Sequence, residues 1–220
     1  MVTCAGEDLT MDIVMLAAGT SSRMGRTNKM LLPYKGMSLV THCCLKALEF
    51  LQDFSLKNDE ACHLIVVTGY RRRSVEKALE PCRTFIGETT ARLEMIVVNN
   101  PDYRKGQFRS TKTGVAQVQE DSAFFISLAD MPLIDPLHYS TLVPLLESHD
   151  AVRPYYQKKE DRVPGHPVLH APGLKKTILR YPDDWTVSKI LKTVDVLEPS
   201  FEDVSWSTDI DSVSDYQNLS

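Results

Sequence analysis

The sequence has no Cys-x-x-Cys spacing, and its five cysteines are an odd number. A disulfide framework needs paired cysteines, and a structural zinc site needs closely spaced ligands, so the sequence disfavours both. Unpaired cysteines are typical of a reducing compartment. We therefore expect a cytoplasmic protein.

Long apolar runs and a basic excess are also missing. No stretch approaches the roughly 20 apolar residues of a membrane span, and residues 1–10 lack the basic start and apolar centre of a signal peptide. The formal net charge is -4 at pH 7, which disfavours a surface that coats nucleic acid. We therefore expect neither a membrane partner nor a nucleic-acid partner.

The sequence lacks several common catalytic and phosphate-binding motifs. It contains no H-E-x-x-H, no G-x-S-x-G, no Walker A loop and no G-x-G-x-x-G fingerprint. Its 220 residues fit one domain over residues 1–220, in which 1–11 is a candidate disordered segment. The function therefore has to be sought in less common patterns.

Short, nearly continuous apolar runs recur along the first 130 residues. Such runs are typical of strands buried on both faces of a parallel sheet, and segments with helical spacing separate them. The predicted strands are 12–18, 63–69, 93–99 and 123–129, and the predicted helices are 38–52, 73–80 and 107–119. This alternation predicts an α/β fold, a three-layer α/β/α sandwich with a mostly parallel, Rossmann-like sheet.

The second half is less regular. Residues 150–170 resemble two strands joined by a charged turn, and residues 174–181 and 185–194 have helical spacing. A final helix is expected within 211–219, with Asp211 or Ser212 as its N-cap.

The loop after the first predicted strand combines small residues with cations. Ala17, Ala18 and Gly19 expose backbone N–H groups with little side-chain bulk, and Arg23 and Lys29 add positive charge. Backbone amides and cations together bind anions such as phosphate. A solvated basic loop is the alternative, and the position directly after a buried strand favours the anion site.

Carboxylates suited to a metal occur in two places. Asp130 follows the fourth predicted strand, and the chain beyond Lys192 carries acids but no Lys or Arg. Oxygen ligands of this kind suit Mg²⁺ bound together with phosphates. Asp209 and Asp211 alternate around Ile210, so only one is expected to face the site. Capping is an alternative role for Asp130 and Asp211.

Two further segments carry polar residues in loops. Gly106 and Ser110 lie where a helix begins, a position that suits a nucleobase or ribose, although an ordinary capped helix is an equal alternative. His166 stands between Gly165 and Pro167, with no neighbouring partner that would make it a base. A structural histidine is its alternative interpretation.

The stretch "LAAGTSSRMGRTNKMLLP" resembles the L-A-A-G-x-S-x-R-M-G-x-x-[NDP]-K signature of nucleotidyltransferases that activate sugars, isoprenoid precursors and molybdopterin. Four later blocks are similar, in the same order, to those of molybdenum cofactor cytidylyltransferases, a branch of the MobA-like nucleotidyltransferases. These blocks are "NNPDYRKGQFRSTKTGV", "LADMPLID", "VPGHPVL" and "DIDSVSDY". The resemblance extends over residues 12–217.

The resemblance implies transfer of CMP from CTP to the terminal phosphate of molybdopterin, with release of pyrophosphate and with Mg²⁺ as cofactor. A molybdoenzyme is the implied client of the product. Lys29 and Arg23 would hold the triphosphate as catalytic residues, Asp130 and Asp211 the metal, and His166 the acceptor. The implied nucleotide-binding residues are Leu16, Ala17, Ala18, Gly19, Thr68, Gly106 and Ser110.

One residue departs from the pattern. Arg109 stands where a small residue is expected before the helix serine, and the base contacts are expected there. The choice of nucleotide therefore stays open at this point. Two other functions also remain open: a nucleotidyltransferase for another phosphorylated acceptor such as a sugar phosphate, and a non-catalytic carrier of molybdopterin.

Overall fold

The computed structural model describes residues 10–20 and 28–219. Strands and helices alternate through the first part of the chain. They are β1 (Met11–Ala17), β2 (Pro33–Tyr34), β3 (Met37–Ser38), α1 (Leu39–Asn58), β4 (Cys62–Thr68), α2 (Arg72–Ala78), α3 (Glu80–Glu88), β5 (Leu93–Asn99), α4 (Gln107–Val115) and β6 (Ala123–Leu128).

The rest of the chain contains shorter elements. They are α5 (Pro136–Leu142), β7 (Ala151–Val152), β8 (Tyr155–Lys158), β9 (Asp161–Pro164), β10 (Val168–His170), α6 (Leu174–Arg180), α7 (Val187–Leu191), β11 (Val196–Leu197), β12 (Ser200–Phe201) and α8 (Val213–Leu219). Across the described residues as a whole, four short 3-10 helices also occur, at 29–31, 103–105, 143–145 and 204–207.

Seven strands form the central sheet in the order β11-β7-β10-β6-β1-β4-β5. Strand β1 pairs in parallel with β4 and with β6, and β4 pairs in parallel with β5. Only β10 runs antiparallel to its two neighbours among these described strands. The sheet is mostly parallel and has helices on both faces, which confirms the predicted α/β/α class.

Both faces of β1 are buried, which explains its uninterrupted apolar sequence. Ile13 and Met15 pack into the cluster that includes Leu48 of α1, whereas Val14 and Leu16 pack into the cluster that includes Val115 of α4. Each residue of β1 is at most 7% exposed. Burial on two faces removes the polar alternation that a half-exposed strand would show.

Some predicted boundaries differ from the structure. The helix expected over 107–119 ends at Val115, and the helix expected over 73–80 spans 72–78 and is followed by α3, which was missed. Residues 150–170 form four short strands rather than two. Strand β1 begins at the fully buried Met11, so the candidate disordered segment 1–11 was drawn too long.

An acidic residue braces the edge of the sheet where its parallel strands begin. Asp12 is fully buried and accepts hydrogen bonds from the backbone N–H groups of His63 and Gln119, at 2.9 and 2.8 Å. Burial raises the pKa of this carboxyl, and the Gln119 hydrogen bonds act in the opposite direction. Asp12 is therefore a structural acid that ties β1 to β4 and to the turn after α4.

Among the helices in the described part of the chain, none is long and apolar enough to cross a membrane.

Candidate active site

A cleft of about 480 Å³ opens where the parallel strands β1 and β6 end. We call it the first cleft. Its walls come from the loops after β1 and β6, the 3-10 helix at 29–31, the start of α4 and the acidic tail. The lining residues are Leu16, Ala18, Gly19, Thr20, Lys29, Met30, Tyr103, Arg104, Gly106, Gln107, Ser110, Leu128, Asp130, Asp209 and Asp211. Ligands of open α/β sheets bind at this edge.

The loop after β1 forms one wall with its backbone. Leu16, Ala18 and Gly19 line the cleft, and a Cβ added at Gly19 would meet nothing within 4 Å. Ala17 lies behind this wall, fully buried in the core. Small residues at 17–19 therefore leave the backbone open to a ligand, as the sequence predicts for an anion site.

Two predicted nucleotide and triphosphate residues do not join this wall in the described structure. Thr68 is fully buried, its hydroxyl donates to the carbonyl of Val98 at 3.4 Å, and it is not among the lining residues. Arg23 lies outside the described residues. Of the two predicted triphosphate-binding cations, Lys29 is the one that the described structure places in the cleft.

Asn28 fixes the start of the 3-10 helix that carries Lys29. Its side-chain oxygen accepts from the N–H of Met30 at 3.0 Å, and its amide nitrogen donates to the carbonyl of Tyr70 at 3.1 Å. Asn28 is 2% exposed and caps the helix. The local sequence therefore holds the Lys29 backbone against the loop that follows β4.

The ammonium of Lys29 lies among acidic groups. Its Nζ forms an ion pair with Asp130 and donates to the carboxylate of Asp211 and to the carbonyl of Ile210, both at 3.0 Å. Burial alone would lower the pKa of Lys29, but the charges of Asp130 and Asp211 outweigh this effect and raise it. Lys29 is thus a charged, held cation at the floor of the cleft.

Three carboxylates meet at the same place. One oxygen from each of Asp130, Asp209 and Asp211 lies within 4.8 Å of the others, and we call this group the carboxylate cluster. Partial burial, followed by the charges of Asp211 and Asp130, raises the pKa of Asp209. Three oxygen donors form a ligand set that suits Mg²⁺ or Mn²⁺.

The expectation that only one acid of the tail faces the site was wrong. Residues 208–211 do not form a regular strand: the N–H of Ile210 donates to the carbonyl of Asp130 at 2.9 Å, and its side chain is fully buried. The buried Ile210 anchors the segment, and both flanking acids reach the cleft. The alternation rule requires an extended chain and does not apply here.

The structure also separates the two roles considered for Asp211. The cap of the last helix is Ser212, whose hydroxyl accepts from the N–H of Asp215 at 3.2 Å. The Asp215 carboxylate accepts in return from the N–H of Ser212 at 2.7 Å, which completes a capping box. The carboxylate of Asp211 is directed to Lys29 instead.

Helix α4 supplies the opposite wall. Gly106 adopts a φ of 117°, a conformation that favours glycine, and no side chain caps the first N–H groups of the helix. Ser110 is 4% exposed and its hydroxyl accepts from the amide of Asn100 at 2.9 Å. Both Gly106 and Ser110, which the sequence predicts to bind the nucleotide, line the first cleft.

A glycine sets how closely α4 approaches the sheet. A Cβ at Gly114 would lie 2.4 Å from Cγ1 of Val14 and 2.7 Å from Cγ2 of Val67. Only a residue without a side chain allows this contact. Gly114 therefore fixes the position of Gly106 and Ser110 relative to the strand ends.

Arg109, the residue that departs from the expected pattern, is held by two carboxylates outside both cavities. Its guanidinium forms ion pairs with Asp102 and Asp183, both at 2.8 Å, and it lines neither of the two cavities described here. Lys112 also binds Asp183, at 3.0 Å. Arg109 thus ties the start of α4 to the loop between α6 and α7.

A second pocket of about 460 Å³ adjoins the first cleft, and Gly106 and Gln107 line both. His166, predicted to contact an acceptor, lines this pocket rather than the first cleft. Its Nδ1 lies 3.4 Å from the carbonyl of Ile126, and burial lowers its pKa. Phe108, Trp185 and Leu191 supply apolar surface.

Sequence reasoning missed several residues that shape the two cavities. The sequence interpretation assigned no role to Asn28. Asparagine directly before a helix is nevertheless a recognisable N-cap signal, and Asn28 caps the short helix at 29–31. Tyr103, Gln107, Arg153 and Trp185 carry no local signal, because only the fold brings them to the cavities.

The model of a known family matches most of the chain. It is the "MobA-like NTP transferase domain", and it matches residues 13–199. The molybdenum cofactor cytidylyltransferase of Escherichia coli (strain K12) is 25% identical over 205 residues, with 93% of each chain covered. The nicotine blue oxidoreductase of Paenarthrobacter nicotinovorans is 30% identical over 174 residues, 75% of this chain and 72% of the relative.

Solved structures show the same fold. Rv0371c of Mycobacterium tuberculosis H37Rv is 21% identical and superposes with a TM-score of 0.71, with 97% of this chain and 98% of that chain covered. A second structure of that protein, a complex with manganese, gives a TM-score of 0.67 at 18% identity, with 96% and 97% covered.

The relatives include a transferase and an oxidoreductase by name, so the reaction has to be argued from the site itself. The family model covers well over half of the chain and shows the family. The chain belongs to the MobA-like NTP transferase family, which includes proteins of molybdenum cofactor biosynthesis.

Proposed function

We propose that this protein is a magnesium-dependent nucleotidyltransferase that transfers CMP from CTP to the terminal phosphate of molybdopterin in the cytoplasm. A phosphate oxygen of the acceptor forms a bond to the α-phosphorus, the bond from that phosphorus to the β-bridging oxygen breaks, and pyrophosphate leaves. One observation carries the proposal: Lys29 and the carboxylate cluster converge at the floor of a cleft walled by open backbone.

The first cleft suits a nucleoside triphosphate. The backbone at Gly19, the uncapped start of α4 and the ammonium of Lys29 face the same space, and each attracts phosphate oxygens. Direct transfer between two phosphates needs positioning and neutralisation of charge, and no protein nucleophile. Lys29 supplies a positive charge where negative charge builds up at the α-phosphate.

The carboxylate cluster fits a divalent cation. Asp130, Asp209 and Asp211 would hold Mg²⁺, which supplies further neutralisation of the phosphate oxygens when it is bound. Asp130 also orients Lys29 through their ion pair. Burial and, after it, the charges of Asp211 and Asp130 raise the pKa of Asp209, and a bound cation would offset both effects.

The second pocket suits the acceptor. It shares the Gly106–Gln107 wall with the first cleft, so a ligand there would face the triphosphate directly. His166 and the apolar surface of Phe108 and Trp185 suit a flat heterocycle.

The free thiols of the four described cysteines are in keeping with a reducing compartment, which supports the cytoplasmic location in the proposal.

Pyrophosphate release with a panel of nucleotides tests the proposal. The protein is incubated with molybdopterin, Mg²⁺ and one of CTP, GTP, UTP or ATP, and pyrophosphate is measured with a coupled assay. We expect release with CTP that requires both molybdopterin and Mg²⁺. Release with another nucleotide only would overturn the assignment of CTP, release only with a sugar phosphate as acceptor would overturn molybdopterin, and binding of molybdopterin without release would indicate a carrier.

A further inference from the structure

The second pocket contains a cation that has no acidic partner among the described residues. Arg153 lies between β7 and β8 and lines this pocket. Its Nε is buried without a hydrogen-bond partner, and no carboxylate of the described residues forms an ion pair with it. Its guanidinium lies 5.5 Å from the centre of the Tyr155 ring. A buried polar atom of a charged group is costly to leave unpaired, so a partner other than the described residues is indicated.

Two of the other charges of this pocket, those of Lys105 and Asp183, are already paired, whereas Asp184 also lines it and forms no ion pair with the described residues. Lys105 binds Asp102 at 2.8 Å. Asp183 binds Arg109 and Lys112, which neutralise its charge. Arg153 is therefore the cation that the pocket offers to an anionic ligand.

The position of Arg153 relates it to the first cleft. The charge of Arg153 contributes to the lowered pKa of His166, after the larger effect of burial, so the two groups are neighbours. The charge of Asp130 acts on the pKa of His166 in the opposite direction, and Nδ1 of His166 contacts the carbonyl of Ile126 in β6, the strand that ends beside Asp130. His166 thus lines the second pocket together with Arg153 and contacts the strand that leads to the carboxylate cluster.

The rest of the lining is apolar and aromatic. Phe108 and Trp185 face the pocket, with Ile126, Val168 and Leu191 completing the apolar surface. Planar rings stack on such surfaces, and a guanidinium binds a phosphate through two parallel hydrogen bonds. The pocket combines both kinds of recognition in one cavity of about 460 Å³.

We propose that Arg153 is the anion anchor of the second pocket, which selects a planar heterocycle carrying a phosphate monoester. The identification of this ligand with the acceptor of the transfer rests on the proposed function. In the transfer, Arg153 holds the acceptor phosphate beside the α-phosphate and offsets the repulsion between the two anions. Neutral analogues of the same ring lack this contact and bind weakly.

Binding of riboflavin 5′-phosphate and of riboflavin tests the anchor without the natural acceptor. Both probes carry the same flat ring, and only the first carries a phosphate. Flavin fluorescence anisotropy gives their Kd values for the wild-type protein and for Arg153→Met, Arg153→Lys and Arg180→Met. Arg180 is an exposed arginine at the end of α6 and serves as the matched control.

The proposal expects the wild type to bind the phosphorylated probe about tenfold to hundredfold more tightly than riboflavin. Arg153→Met should abolish this preference, Arg153→Lys should restore part of it, and Arg180→Met should leave it unchanged. Equal binding of the two probes, failure of the phosphorylated probe to bind, or a preference that survives in Arg153→Met would overturn the proposal.

A parallel titration with CTP and Mg²⁺ separates this inference from the proposed function. Arg153→Met should leave the Kd of CTP unchanged, because Arg153 does not line the first cleft. If the wild type fails to bind CTP but shows the phosphate preference, the proposed function fails and the anchor stands. If CTP binds and the preference is absent, the anchor fails alone.

Discussion

Lys29 and Asp211 lie 182 positions apart in the chain, yet Nζ of Lys29 donates a hydrogen bond to Oδ1 of Asp211 over 3.0 Å. The contact joins the loop after the first strand to the acidic tail. It also places the cation of the site in direct contact with two of its carboxylates, since Lys29 pairs with Asp130 as well. The same groups would have to divide between a triphosphate and a metal during the reaction.

Removal of the Lys29 charge should impair the chemical step. Lys29→Met should lower kcat by roughly 10²–10³, the scale for loss of one preorganised charge stabiliser. Steady-state pyrophosphate release measures this effect, and Lys176→Met is the matched control because Lys176 is exposed and pairs only with Glu120 among the described residues. Wild-type turnover of Lys29→Met would remove Lys29 from the mechanism.

The same substitution should have the opposite effect on metal binding. Lys29 neutralises part of the carboxylate cluster, so Lys29→Met should bind Mn²⁺ more tightly than the wild type in the absence of nucleotide, whereas Asp130→Asn should bind it more weakly. Electron paramagnetic resonance of free Mn²⁺ gives both Kd values.

Substitution Glu120→Gln is the control for the metal titration, because Glu120 is an acid that binds two lysines away from the cleft. If Mn²⁺ affinity is the same in all four proteins, the carboxylate cluster is not the metal site.

Arg109 should affect the acceptor side of the site and leave nucleotide choice unchanged. Arg109→Ala breaks two ion pairs to Asp102 and Asp183, which releases the loop that borders the second pocket. These partly exposed pairs contribute about 1 kcal/mol or less each to stability. We expect a higher KM for the acceptor and the same order of preference among CTP, GTP, UTP and ATP. A changed nucleotide preference would return Arg109 to the base site.

The contact between α4 and the sheet should tolerate no side chain. Gly114→Ala would place a methyl group against Val14 and Val67, and overpacking of this kind costs about 1–3 kcal/mol of unfolding free energy. Urea denaturation measures the loss. Gly87→Ala, where a Cβ meets nothing within 4 Å, should cost less than Gly114→Ala, and an equal loss would contradict the close packing.

His170 should make the protein acid-sensitive. Its ring stacks on Phe124, neither ring nitrogen has a hydrogen-bond partner, and burial lowers its pKa to about 4 from the ordinary value of 6.5. Between these values the unfolded chain binds a proton that the folded chain does not bind. Stability should therefore be constant above pH 6.5 for this group and fall as the pH drops to about 4.

The effect of His170 is of the order of 3 kcal/mol, since one unit of pKa corresponds to about 1.4 kcal/mol. His170→Leu should lose this part of the pH dependence in urea denaturation at pH 7 and pH 4.5, whereas His149→Leu, at a partly exposed histidine, should retain it. If His170→Leu and the wild type lose the same free energy of unfolding between pH 7 and pH 4.5, the account is contradicted.

The central sheet was predictable because β1, β4 and β6 are buried on both faces, and the half-buried edge strand β5 has the same kind of apolar run. The runs at 12–18, 63–69, 93–99 and 123–129 match β1, β4, β5 and β6 to within one residue at each end. Strands β7, β10 and β11 are two or three residues long, which is too short for any periodic pattern. Their positions are set by tertiary pairing, and sequence patterning alone could not find them.

The candidate site was predictable where a residue stands within two positions of a strand's end, as Gly19 and Asp130 do. It was not predictable where side-chain direction depends on distant contacts. Asp209 reaches the cleft because Ile210 is anchored to Asp130, and Arg109 turns away because Asp183 binds it. Local spacing carries no information about such partners.

Mass spectrometry of the reaction product tests the central claim most directly. Wild-type protein and Lys29→Met are incubated with molybdopterin, CTP and Mg²⁺, and the pterin product and the pyrophosphate are quantified together. The account predicts a pterin species heavier by one CMP, formed in equal amount to pyrophosphate by the wild type and at a greatly reduced rate by Lys29→Met. Bound but unmodified molybdopterin, with CTP intact, would contradict it.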